Sequence, residues 1–147
     1  MLTEYDPDRA PDPERWLAQN EMELMELVQG YHRREQIPLP NERVHASYHV
    51  MVENQVALGD RTPVREAVDR LMGERMSRHD ALHAVGAVLA KHMHQATATN
   101  VPVSREAYYA DIRALTSEAW LAEYGLGTHA PGGDEREGGS EADEVRS

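Results

Sequence analysis

The sequence predicts an all-α fold, an up-and-down helical bundle of four to five helices. Three observations carry that expectation. Apolar residues recur at helical spacing through most of the chain, and no strand alternation of useful length appears. The apolar palette is Leu, Val, Met and Ala with a few Tyr and Trp, while Phe and Cys are absent, which suits helices. Helix starts also recur: Asp12-Pro13, Asn41, Thr62-Pro63, Ser77 and Ser104 each offer an N-cap, twice with proline following.

Residues 1–12 read as an extended lead-in, broken by Pro7 and Pro11. The first helix is expected from Pro13 to Arg33, with Trp16, Asn20, Leu24, Leu27, Val28 and Tyr31 inside. The run Gln36-Ile37-Pro38-Leu39-Pro40 ends it as a stiff connection. The second helix runs from Asn41 to Leu58, with an inner stripe of Val44, His45, Tyr48, His49, Val52, Gln55 and Val56 and with Glu53 at its edge. Gly59-Asp60 closes it. Thr62-Pro63 opens a short third helix whose apolar face is Val64, Ala67, Val68, Leu71 and Met72. Ser77 caps the fourth, with inner residues His79, Leu82, His83, Gly86, Leu89, Ala90 and Met93. Ser104 caps the fifth, from Arg105 to Tyr124, with Tyr108, Ile112, Leu115 and Ala119 inside. Residues 13–125 therefore make one helical domain, and the acidic, glycine-rich residues 126–147 read as a disordered tail.

A chain of 147 residues suits one core. Its formal net charge of -11 and pI near 5.1 oppose binding to nucleic acid or to anionic membrane surfaces. The lack of cysteine excludes disulfides, thiolate metal sites and a cysteine nucleophile. The acidic, proline-rich start does not resemble a signal peptide, and no stretch approaches the roughly 20 apolar residues of a membrane helix. A cytoplasmic protein is the resulting expectation.

Two short stretches carry the chemistry. His45 and His49 stand at i, i+4, with Glu53 four residues further on, and His79 and His83 repeat the spacing. On helices those spacings put the side chains on one face, one turn apart. Both pairs fall on core-facing stripes, where a bare imidazole is costly without a partner. Two such helices facing one another would converge four imidazoles and a carboxylate, the donor set of iron, zinc, manganese, nickel or copper. His45, His49, His79 and His83 are thus the expected metal ligands. Glu53 completes the shell, bridges a second metal or acts as a catalytic base. Tyr48, Asn54, Gln55 and Asp80 are candidates for holding imidazole N–H groups, although helix capping explains Asp80 better. The plain alternative is a set of core histidines hydrogen-bonded to neighbours. His92 and His94, at i, i+2, read as surface residues; His32 and His129 read as isolated.

The stretch from His45 to His92 resembles a family of small bacterial histidine-rich helical proteins of unknown function. The resemblance rests on His45-xxx-His49-xxx-Glu53-Asn54-Gln55, the Gly59-Asp60 turn, Val64 to Met72, and Ser77-Arg78-His79-Asp80-Ala81-Leu82-His83-Ala84-Val85-Gly86. It implies a histidine-rich helical domain and no established activity. His49-xxx-Glu53 and His79-xxx-His83 are also similar to motifs of hemerythrin-like proteins, which hold a di-iron centre in a four-helix bundle. The late His-xxxx-Asp of that family is missing here, so the likeness is one of chemistry rather than kinship.

Two functions follow as expectations. One is a metal-dependent oxidoreductase with a divalent transition metal, iron foremost, acting with oxygen on a small-molecule substrate. The other is an interaction module with a structural metal or satisfied core histidines, its acidic surface meeting a basic protein partner. Homodimerisation is a separate expectation, since a five-helix chain of this size often has an apolar stripe left to bury. A nucleotide-binding glycine loop and a Gly-x-Ser-x-Gly hydrolase elbow are both absent from the sequence.

Overall fold

A computed structural model describes residues 2–37 and 41–124. Among them it is all-α, with seven α-helices and no strand. The expected tail lies outside the described residues, as do Pro38, Leu39 and Pro40. No helix among the described residues is long and apolar enough to cross a membrane.

The lead-in, residues 2–12, delivers two buried residues, Tyr5 and Pro7. Helix α1 (Pro13–Ala18) starts as the sequence predicts, with Asp12 accepting from the Arg15 N–H and proline in the first turn. It then stops, where one helix to Arg33 was expected. Asn20 is not an inner-face residue but the N-cap of a new helix, α2 (Glu21–Arg34). The Asn20 side chain accepts from the Glu23 N–H at 2.9 Å, and the Glu23 carboxylate accepts from the Asn20 N–H at 3.2 Å. That reciprocal pair satisfies two donors at once and makes a fresh start more favourable than continuation.

Helix α3 (Glu42–Ala57) begins at its Asn41 cap as expected. A short 3-10 turn, Gly59–Arg61, follows, and Gly59 adopts φ of 65°, which glycine takes without strain. Thr62 Oγ1 then accepts from the Val64 N–H at 3.1 Å, and α4 (Val64–Gly73) begins. Helix α5 (Arg78–Thr99) starts where Ser77 Oγ accepts from the Asp80 N–H at 3.0 Å. Ala81 to Ala87 are buried without interruption. Over these two turns the helix is covered on every side, so this part of α5 lies inside the molecule, while Asp80 and the last two turns face solvent.

The expected fifth helix is also two. Helix α6 (Arg105–Ala114) ends at Leu115, and α7 (Ser117–Tyr124) begins after Thr116, whose Oγ1 accepts from the Ala119 N–H at 3.0 Å. The break turns Trp120 inward and leaves Ala119 exposed.

Helix α3 packs on α1, α2, α4 and α5. One apolar core, with Val52, Val68, Leu71, Leu82, Val85 and Ile112, joins α3 to α4, α5 and α6. A second, with Tyr5, Trp16, Leu24, Val28 and Val50, joins the lead-in and α1 to α2 and α3. The histidines sit at the junction of α2, α3 and α5.

Candidate metal centre

Helix α3 projects His45 and His49 one turn apart, and α5 projects His79 and His83 in the same way, as the sequence predicts. The rings of His49 and His83 lie 5.2 Å apart between centroids, and those of His79 and His83 lie 4.3 Å apart. A fifth imidazole joins them. His32 of α2, read from the sequence as isolated, lies 4.7 Å from the His45 ring and 5.4 Å from the His49 ring. Its signal was present: Leu24, Val28 and His32 stand at i, i+4, i+8 on the buried face of α2.

The ligand atoms fall into two triads, His32 with His45 and His49, and His49 with His79 and His83. Within each triad they lie within 4.8 Å of one another. The first triad is wholly buried; in the second, His79 is partly exposed. His32, His45, His49 and His83 are each 6 % exposed or less.

Tautomers can be assigned from partners. Tyr5 Oη donates to Glu53 Oε2 at 2.7 Å, and Glu53, a carboxylate, can only accept. The Tyr5 oxygen therefore faces His49 Nδ1, 3.2 Å away, as an acceptor. His49 carries its proton on Nδ1 and presents the Nε2 lone pair to the cluster. His32 Nδ1 lies 3.0 Å from the Val28 carbonyl, which only accepts, so His32 has the same tautomer. Its Nε2, like that of His79, is buried and makes no hydrogen bond among the described residues. His83 Nε2 and His49 Nε2 meet at 3.3 Å. With its Nε2 unprotonated, His49 accepts there from His83 Nε2–H. His32 and His49 are thus the two imidazoles with Nδ1–H pinned and Nε2 prepared as a cation ligand, and a metal at His83 Nε2 would displace its proton.

Electrostatics agree. Burial lowers the pKa of His49 and His83 well below that of an ordinary imidazole, and the neighbouring histidines push the same way. Burial also lowers His32, against the partial support of its bond to Val28. Burial brings His79 to about 4, with Asp8 opposing the shift. Burial thus favours the uncharged imidazole at His32, His49, His79 and His83, and the uncharged ring is the form that binds metal.

Glu53 is placed elsewhere. It is 1 % exposed and faces Arg78, which donates from Nη1 to Oε2 and from Nη2 to Oε1, both at 2.8 Å. Its remaining partner is Tyr5. Glu53 belongs to neither triad. It reaches the cluster through a chain, Arg78 to Glu53 to Tyr5 to His49. Arg78 also donates to the Pro7 carbonyl at 3.0 Å, which fastens the lead-in to α5.

The other candidate partners serve the scaffold. Asn54 accepts from Trp16 Nε1 at 2.8 Å, and Gln55 accepts from Tyr108 Oη at 2.7 Å. Tyr48 packs against the apolar residues of α5, and the Asp80 N–H takes the Ser77 cap. His92 is not the surface residue expected: its side chain is 10 % exposed and bonds Asp111 Oδ2 at 2.7 Å. His94 is exposed as expected, and His129 lies outside the described residues.

No curated protein and no solved structure matches the chain. Residues 16–114 do match a family, described as Domain of unknown function (DUF1841). That span holds all five clustered histidines, Glu53 and Arg78, and the chain belongs to this family.

Proposed function

We propose that this is a metal-binding protein and that the five-histidine cluster is its centre. One observation carries the reading: five imidazoles from three helices converge in two buried or nearly buried triads, and two of them, His32 and His49, have Nδ1 held from behind so that Nε2 faces the cluster. A single core histidine is normally satisfied by a neighbour, whereas His32 and His79 each leave a buried Nε2 without a partner among the described residues.

The ion is a divalent transition metal. Iron came first from the sequence because Glu53 offered a carboxylate. With Glu53 held by Arg78 and Tyr5, the donor set is all imidazole, which suits copper, nickel and zinc as well as iron. Three imidazoles per triad leave coordination positions for water or substrate, as in catalytic rather than structural sites. With iron or copper the corresponding reaction is oxidation of a small molecule. In this reading Glu53 is a positioning residue for His49 rather than a base.

A second reading, satisfied core histidines in an interaction module, draws on the 3.3 Å contact between His49 and His83. Elemental analysis of untagged protein separates the two. We expect close to stoichiometric metal, lost in His49→Ala and His83→Ala and kept in His94→Ala. Equal metal content in all three variants would overturn the site. Metal-free protein whose melting is indifferent to added ions would favour the second reading.

A further inference from the structure

The two triads share His49. Its Nδ1 faces Tyr5, so only Nε2 is available as a donor. One lone pair serves one ion, and the triads cannot both be complete at once. They also differ in depth: His32, His45 and His49 are all buried, while His79 of the other triad is partly exposed.

His79 stands in the first turn of α5, against the lead-in. Its backbone N–H donates to Asp8 Oδ1 at 3.1 Å, and the Asp8 N–H donates to Asp6 Oδ1 at 3.0 Å. Both aspartates are exposed, and both favour positive charge at the His79 imidazole. Tyr31 closes the same edge, its ring 5.8 Å from that of His79, and Glu35, Asp8 and Asp6 bear on it as well. Three cations stand nearby: Arg9 follows Asp8 in the chain, its backbone N–H donating to the Asp6 carbonyl at 2.9 Å, and Arg34 and Arg78 flank the lead-in. Arg34 donates to the Tyr5 carbonyl at 3.0 Å and faces Glu4 at 4.0 Å, and the charge of Arg78 is taken up by Glu53. With Arg78 paired to Glu53, the four carboxylates Glu4, Asp6, Asp8 and Glu35 outnumber Arg9 and Arg34, so the balance at this edge is negative, and it lies over the incompletely buried ligand His79.

Within the metal-binding reading above, on which this rests, we propose that a divalent transition cation loads in two steps. It arrives at the His79 edge, drawn by Asp6 and Asp8, and is first held by His49, His79 and His83. It then passes to the buried His32, His45 and His49, with His49 never released. Replacing one imidazole at a time keeps the ion liganded throughout. Because His32 and His49 already hold their protons on Nδ1, their binding displaces no proton.

Cobalt(II), whose visible spectrum reports its ligand geometry, is the probe. The double variant Asp6→Asn with Asp8→Asn keeps both acceptor oxygens and removes both charges. We expect it to take up cobalt about tenfold more slowly than wild type at low ionic strength, with the gap closing in high salt. Wild type should show two spectral phases in stopped flow. His32→Gln should stop after the first, with a circular dichroism melt confirming that it is folded, and His32→Ala should do the same. Uptake by the charge variant at the wild-type rate in low salt would overturn the access route. A His32 variant that runs through both phases would overturn the handover. Wild type that binds no cobalt would overturn the metal reading itself, and this inference with it.

Discussion

Replacing Arg78 with Met separates the two roles open to Glu53. The Glu53 side chain is 1 % exposed and that of Arg78 is 5 % exposed, joined by two bonds of 2.8 Å. Met keeps most of the volume and removes the charge. Glu53 would then be a buried carboxylate whose remaining bond is from Tyr5. Breaking a buried pair from one side costs about 3–5 kcal/mol, because the charge left behind is uncompensated. Against a total stability of about 5–15 kcal/mol that is a large share. The double replacement Glu53→Leu with Arg78→Met removes both charges and should cost less than Arg78→Met alone. It still loses the bonds to Tyr5 and Pro7, so some destabilisation remains. Urea unfolding of chelator-treated protein, followed by far-ultraviolet circular dichroism, measures both. A cost below about 1 kcal/mol for the single variant, or additive costs in the pair, would refute the reasoning. Glu53 would then be free to act as the ligand or base that its spacing from His49 suggests.

Two further outcomes follow from the same geometry. Tyr5→Phe removes the acceptor behind His49 Nδ1 and should weaken metal binding about 10–100-fold, read by competition with a chromophoric chelator; unchanged affinity would dismiss the tautomer argument. Acid should destabilise the metal-free protein, because the buried histidines bind protons less readily folded than unfolded. Their contribution is complete above the ordinary imidazole pKa and is lost as pH falls below it; for His79, at about 4, that amounts to about 3 kcal/mol at about 1.4 kcal/mol per unit, and a flat urea midpoint between about pH 7 and pH 5 would contradict it.

The helical class was legible because it depends on local signals that agree with one another. Each N-cap read from the sequence at Asp12, Asn41, Ser77 and Ser104 makes its side-chain bond in the structure. The two breaks were misread where an apolar stripe ran on across a cap. Asn20-xx-Glu23 is a capping box whose first residue also fits the stripe, and Thr116 sits between two apolar positions, Leu115 and Trp120. Periodicity counts residues that face inward; it does not register one hydrogen bond that restarts the chain. The convergence of His45, His49, His79 and His83 was legible for the same reason as the helices, since i, i+4 spacing is local. His32 required knowing that α2 packs on α3. Tyr5 carries no local signal, as one aromatic in an acidic, proline-rich segment. The destination of Glu53 was decided by Arg78, which is adjacent to His79 in sequence but 25 positions from Glu53. Side-chain chemistry alone could not rank a metal against a guanidinium as the partner of that carboxylate.

The family match begins at residue 16, yet the lead-in before it is built into the centre. Tyr5 backs a histidine, Pro7 caps the guanidinium of Arg78, and Asp8 holds the backbone of His79. A recombinant protein trimmed to the boundaries of the conserved domain would therefore expose one wall of the cluster and leave His49 without its tautomer lock. Failure of such a truncated protein to bind a metal would reflect the missing wall, not the domain's own chemistry. The span 16–114 marks where the family's members resemble one another; the working unit of this chain begins earlier.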